Sequence, residues 1–84
     1  MSHARDVAEV LIKALVDAPD AVRVTETEQR GSAIIEIFVA DGDMGRVIGR
    51  QGRTATAIRT LVTSTAERDA MRVSIEFRDD HGRR

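Results

Sequence analysis

The sequence predicts an α+β fold in which one three-stranded sheet carries three helices on one face. Three observations carry that expectation. Residues 4–17 repeat with a helical period. The apolar, β-branched segments 33–40 and 71–78 alternate as strands do. A second helical stretch, 53–69, lies between those strands. With a further strand at 22–28 and a short helix at 44–48, the order is α-β-β-α-α-β. At 84 residues the chain is expected to form one domain, residues 1–84, ordered over about 4–78 and ending in a short polar tail.

In the first helix Arg5, Glu9, Lys13 and Asp17 stand four apart, and Glu9 before Lys13 is the favourable orientation. Val7, Val10, Leu11, Ala14 and Leu15 form an apolar stripe, which Ala8, Ile12 and Val16 widen. Two readings fit that width: a deeply embedded helix, or one flank that meets another chain. Pro19 ends the helix, because a residue before proline avoids the α region.

Val22 to Glu28 alternates apolar or Thr positions with charges, and Gln29 to Ser32 reads as a turn. The next strand puts Ile35, Ile37 and Val39 on one face and Ile34, Glu36 and Phe38 on the other, so an antiparallel hairpin is expected. Asp43 offers an N-cap for the short helix, and Gly49 a left-handed end to it. In 53–69, Ala55, Ile58, Leu61, Val62, Thr65 and Ala66 share the apolar side. Five threonines and one serine follow Arg53, so packing rather than propensity must hold this helix. Met71, Val73, Ile75 and Phe77 alternate with polar residues in the cleanest strand pattern of the chain.

Composition narrows the function classes. With no cysteine, disulfides and thiolate metal sites are excluded. His3 and His81 stand near opposite termini, no Ser-His-Asp setting is present, and no metal-ligand spacing recurs, so neither a catalytic residue nor a cofactor nor a metal is expected. No long apolar run or signal-peptide pattern occurs; a cytoplasmic protein with no membrane partner is expected. A net charge of −1 argues against a purely electrostatic binder of nucleic acid. Charge is nevertheless local: from Arg46 to Arg59 there are four arginines and no acid. Such a patch suits a footprint of a few phosphates, or a solvated helix face.

Inside that patch lies Val47-Ile48-Gly49-Arg50-Gln51-Gly52-Arg53. Gly49 can take a positive φ, and Gly52, lacking a Cβ, lets a sugar-phosphate chain pass close to the backbone. The following helix offers N–H groups and a positive dipole end, Arg50 a cation, and Gln51 hydrogen-bonding groups. A bare Gly-x-x-Gly also serves helix–helix turns for steric reasons alone. Gly42-Asp43-Met44-Gly45 has the same spacing, but its aspartate would repel phosphate.

Val47-Ile48 before the turn, Arg53 after it, and the α-β-β-α-α-β order together resemble the KH domain in its prokaryotic type II arrangement. The apolar first helix, the Pro19-Asp20 that follows it, and the run from Asp43 to Arg53 are similar to the small bacterial RNA-binding KhpA family, over about residues 5–78. The resemblance implies a non-catalytic binder of single-stranded RNA, clamped by its backbone at Gly49, Arg50, Gln51 and Gly52. Ile48 would then pack under the loop, with Arg46, Arg53 and Arg59 flanking or supporting the strand's path. It implies a role as an RNA chaperone or post-transcriptional regulator, linked to cell division and cell-wall homeostasis. The short Asp69-Ala70 connection implies weak binding unless a second domain or subunit helps. A preference for single-stranded DNA and use as a docking module stay open.

Surplus apolar surface bears on partners. Ile12, Val16, Ile34 and Phe38 are the candidate self-association residues, and burial within one chain is the other reading. The resemblance implies either a homodimer or a larger KH-containing partner of the KhpB type.

Overall fold

The computed structural model describes residues 2–79. The expected polar tail therefore falls, from residue 80 on and with His81, outside the described residues. The elements are α1 (His3–Leu15), β1 (Arg23–Gln29), β2 (Ser32–Phe38), α2 (Met44–Ile48), α3 (Arg53–Arg68) and β3 (Arg72–Arg78), with short 3₁₀ turns at Pro19–Ala21, Asp41–Asp43 and Arg50–Gly52. This is the expected α-β-β-α-α-β order.

The sheet order is β1-β2-β3. β1 pairs antiparallel with β2, from Arg23 opposite Phe38 to Gln29 opposite Ser32. A two-residue turn joins them, with positive φ at both Arg30 (50°) and Gly31 (83°), as a hairpin matched to strand twist requires. β3 pairs parallel with β2, Ile35 beside Ile75 and Ile37 beside Phe77. Such a pair needs a crossover, which α2 and α3 supply. At the start of β3 the Arg72 N–H donates to the Gly31 carbonyl at 3.1 Å, so the hairpin turn abuts the third strand.

One sheet face is covered by helices. Val24, Ile35, Ile37, Ile75 and Phe77 are buried there against Ala4, Ala8 and Ile12 of α1 and Ala55, Ile58, Val62 and Ala66 of α3. The other face carries Arg23, Thr25, Thr27, Ile34, Glu36, Phe38, Ser74, Glu76 and Arg78. There Arg78 ties the two adjacent glutamates, Nε to Glu36 at 2.9 Å and Nη2 to Glu76 at 2.6 Å. The Arg23 guanidinium lies 4.5 Å over the Phe38 ring.

α1 departs from its expected face. The core line is Ala4, Ala8 and Ile12, whereas Val10 is 68% and Leu15 40% exposed. Alanines four apart let the helix sit close to its neighbours, so the smallest side chains face inward. Ser2 caps the helix by accepting the Arg5 N–H at 3.1 Å. The helix stops at Leu15, two residues short of the expected Asp17, because Val16 is already extended (φ −94°, ψ 160°). The N–H groups of Asp17 and Ala18 turn instead to the Asp43 carboxylate. In α3, Leu61 is likewise 52% exposed rather than inward.

Candidate nucleic-acid interface

The Gly49-to-Gly52 turn is built by three unusual backbone conformations within four residues. Gly49 closes α2, its N–H donating to Gly45 O at 2.9 Å, but its φ of 75° and ψ of 176° lie outside the ordinary left-handed region. That combination is essentially restricted to glycine. Gln51 (φ 57°, ψ 25°) and Gly52 (φ 73°, ψ 12°) are both left-handed. The chain thus reverses tightly and re-enters a helix at Arg53.

The two glycines meet different surroundings. A Cβ at Gly49 would lie 2.2 Å from Oγ1 and 2.7 Å from Cβ of Thr54. At Gly52 a Cβ would meet nothing within 4 Å. The space above Gly52 is therefore open to a passing chain. No side chain caps the N-terminus of α3, whose first-turn N–H groups lack intrahelical partners. An anion placed there gains from donors and dipole together.

Side chains complete the surface. Arg50 and Gln51 are exposed, and Arg50 makes no ion pair among the described residues. Arg53 Nη2 donates to Gln51 Oε1 at 2.9 Å, fixing the glutamine beside the loop. Ile48 is half-buried against the core below the turn. Arg59 lies farther along α3, its guanidinium 5.0 Å over the Phe77 ring, where it covers the last strand. Arg46 is not free: Nη2 stands 2.8 Å from Asp17 Oδ2 and Nε 3.5 Å from Asp43 Oδ1. A phosphate would have to compete with Asp17 for it.

The structure divides the four self-association candidates. Ile12 is fully buried in the core, which removes it from any docking surface, and Val16 is half-buried against the same core. Ile34, 46% exposed, and Phe38 lie on the opposite, uncovered face of the sheet. Asp43, expected to cap α2, makes no such bond; it is 3% exposed and faces the α1–β1 connection. Its part, and that of Thr54 against Gly49, carry no local signal. Among the described residues no group of three or more His, Asp or Glu could hold a metal, and no helix is long and apolar enough to cross a membrane.

Comparison with known proteins gives three kinds of match. The family model described as the KH domain of KhpA/KhpB matches residues 5–77. The RNA-binding protein KhpA of Caldanaerobacter subterraneus subsp. tengcongensis is 52% identical over 72 residues, covering 86% of this chain and 96% of its own. That of Aquifex aeolicus is 43% identical over 77 residues, covering 92% and 98%. Among solved structures, Era in complex with MgGDPNP and nucleotides 1506–1542 of 16S ribosomal RNA superposes with a TM-score of 0.64 at 18% identity. The match covers 90% of this chain and 29% of that one. At that identity the likeness speaks to the fold, a type II KH arrangement.

Proposed function

The chain belongs to the KhpA/KhpB KH-domain family, and on that premise we propose that it binds single-stranded RNA, without catalysis, by clamping the sugar-phosphate backbone at Gly49-Arg50-Gln51-Gly52. The observation that carries this reading is the open approach to Gly52 beside the uncapped start of α3 and the exposed Arg50, which makes no ion pair among the described residues. Arg53 and Arg59 flank the path, Ile48 supports the loop, and Arg46 serves it from its ion pair with Asp17. Backbone contacts position a strand without reading its sequence, which suits an RNA chaperone or post-transcriptional regulator in the cytoplasm. A link to cell division and cell-wall homeostasis is the cellular role proposed with it.

The test is the double variant Arg50→Asp/Gln51→Asp. Fluorescence anisotropy with a random-sequence single-stranded RNA should show binding lost, while circular dichroism shows the fold retained. Unchanged affinity in the folded variant would sink the clamp. Competition with matched DNA oligomers separates RNA from single-stranded DNA as ligand.

A partner is also proposed, either a second copy or a KhpB-type KH protein. It is favoured by the exposed apolar side chains Val10, Leu15, Ile34 and Leu61. Sedimentation at rising concentration tests the second copy, and a strictly monomeric wild type would reject it.

A further inference from the structure

We infer that Asp43 is a positioning residue for the clamp, fastening the α1–β1 connection to the root of α2 and thereby aiming Arg50 and the loop backbone. The inference rests on the clamp reading above.

Among the described residues Asp43 is the buried charged one, 3% exposed. A buried carboxylate is costly unless its oxygens are hydrogen-bonded. Here each oxygen has its own backbone donor: Asp17 N–H reaches Oδ1 at 3.1 Å and Ala18 N–H reaches Oδ2 at 3.0 Å. Arg46, one turn along α2, adds a strap across the same joint through Asp17 Oδ2 at 2.8 Å and Asp43 Oδ1 at 3.5 Å. The carboxylate accepts no capping hydrogen bond from the helix it precedes, so capping does not account for it.

The mechanical consequence follows from length. α2 has five residues, about 7.5 Å at the usual rise. A helix so short has no stability of its own, and its axis is set by the seat of Val47 in the core together with whatever holds its two ends. One end is the Asp43 joint. The other is Gly49, tied back to Gly45 and seated on Thr54. A shift at the joint therefore reappears at the clamp, where donors must meet phosphate oxygens within a fraction of an ångström. Asparagine at position 43 would keep the size but offer one acceptor to two N–H groups and no charge to Arg46.

A double-variant cycle tests this. Asp43→Asn, Arg50→Ala and their combination are compared for affinity to a labelled single-stranded RNA, at a temperature where circular dichroism shows every variant folded. Asp43→Asn alone should weaken binding about tenfold, and on top of Arg50→Ala only slightly, because both remove the same phosphate contact. The slope of log affinity against log salt should fall in Asp43→Asn by about 0.7, as in Arg50→Ala. A purely structural role would leave that slope unchanged. Wild-type affinity in Asp43→Asn, or a loss that adds in full to that of Arg50→Ala, would overturn the inference. If Arg50→Ala itself binds normally, the clamp reading fails and takes this one with it. Should Asp43→Asn not fold, Asp43→Glu, which keeps the charge but displaces the carboxylate from its two N–H donors, is read by the same cycle and the same criteria.

Discussion

Gly49 and Thr54 are packed so closely that a Cβ on the glycine would stand 2.2 Å from the threonine Oγ1, 2.7 Å from its Cβ and 3.0 Å from its N. Rotation of the hydroxyl cannot relieve contacts with Cβ and backbone, and the φ/ψ of Gly49 already excludes other residues. Gly49→Ala is expected to cost about 3–5 kcal/mol in urea denaturation, combining backbone strain and overpacking. Gly52→Ala meets no atom and should cost only about 1–2 kcal/mol, the left-handed penalty. RNA affinity should fall in Gly52→Ala by more than its stability loss accounts for. Equal stability losses at the two glycines would contradict the geometry.

Ala70 occupies a glycine's place. It follows α3 with φ 59°. The Ala70 N–H bonds Glu67 O at 3.0 Å and the Met71 N–H bonds Ala66 O at 2.9 Å, the paired bonds of a Schellman end. Ala70→Gly should raise stability by about 0.5–1.5 kcal/mol, visible as a higher Tm. An unchanged or lower Tm would count against that backbone.

The core position of Ile12 separates stability from association. Ile12→Ala should cost about 2–5 kcal/mol as a cavity mutant. Ile34→Glu, on the open sheet face, should leave the melting curve within about 0.5 kcal/mol of wild type. A folded Ile12→Ala of wild-type stability would show that α1 presents another face.

Glu9 makes stability respond to acid. Hydrogen bonds from Lys13 and then Arg5 hold its pKa below the ordinary 4.5. A lowered folded-state pKa contributes stability that is present above 4.5 and fades as pH falls through the folded value. Glu9→Gln should therefore be less stable than wild type at pH 7, and the two should converge under acid denaturation as the Glu9 carboxylate becomes protonated in the folded state. A gap that persists unchanged at low pH would assign the effect to something other than charge.

What the sequence reveals is what is locally written. The alternation of Val73, Ile75 and Phe77 and the turn residues Gly31, Gly49 and Gly52 announce their roles, since period and backbone freedom are properties of the segment itself. α1 is harder to read. Counting apolar bulk favours Val10 and Leu15, whereas close approach selects Ala4 and Ala8, and closeness is a property of the neighbour. Asp43 is misread for the same reason. Beside a helix start it looks like a cap, but the donors it serves lie 26 and 25 residues away. Arg46 likewise belongs to a basic run in sequence and to an ion pair in space.

The parallel pairing of β3 with β2 has a consequence for the order of events. Ser32 pairs with Arg72 and Phe38 with Arg78, so the chain that forms α2, the Gly49–Gly52 turn and α3 must all be spanned before those strands can meet. The hairpin closes over two residues and is quick; the third strand must close a long loop and is slow. During synthesis the Gly49–Gly52 segment emerges well before the strand on which α3 comes to rest. The seat of α3 beside that turn is thus the last part of the fold to be completed, once the final strand has docked.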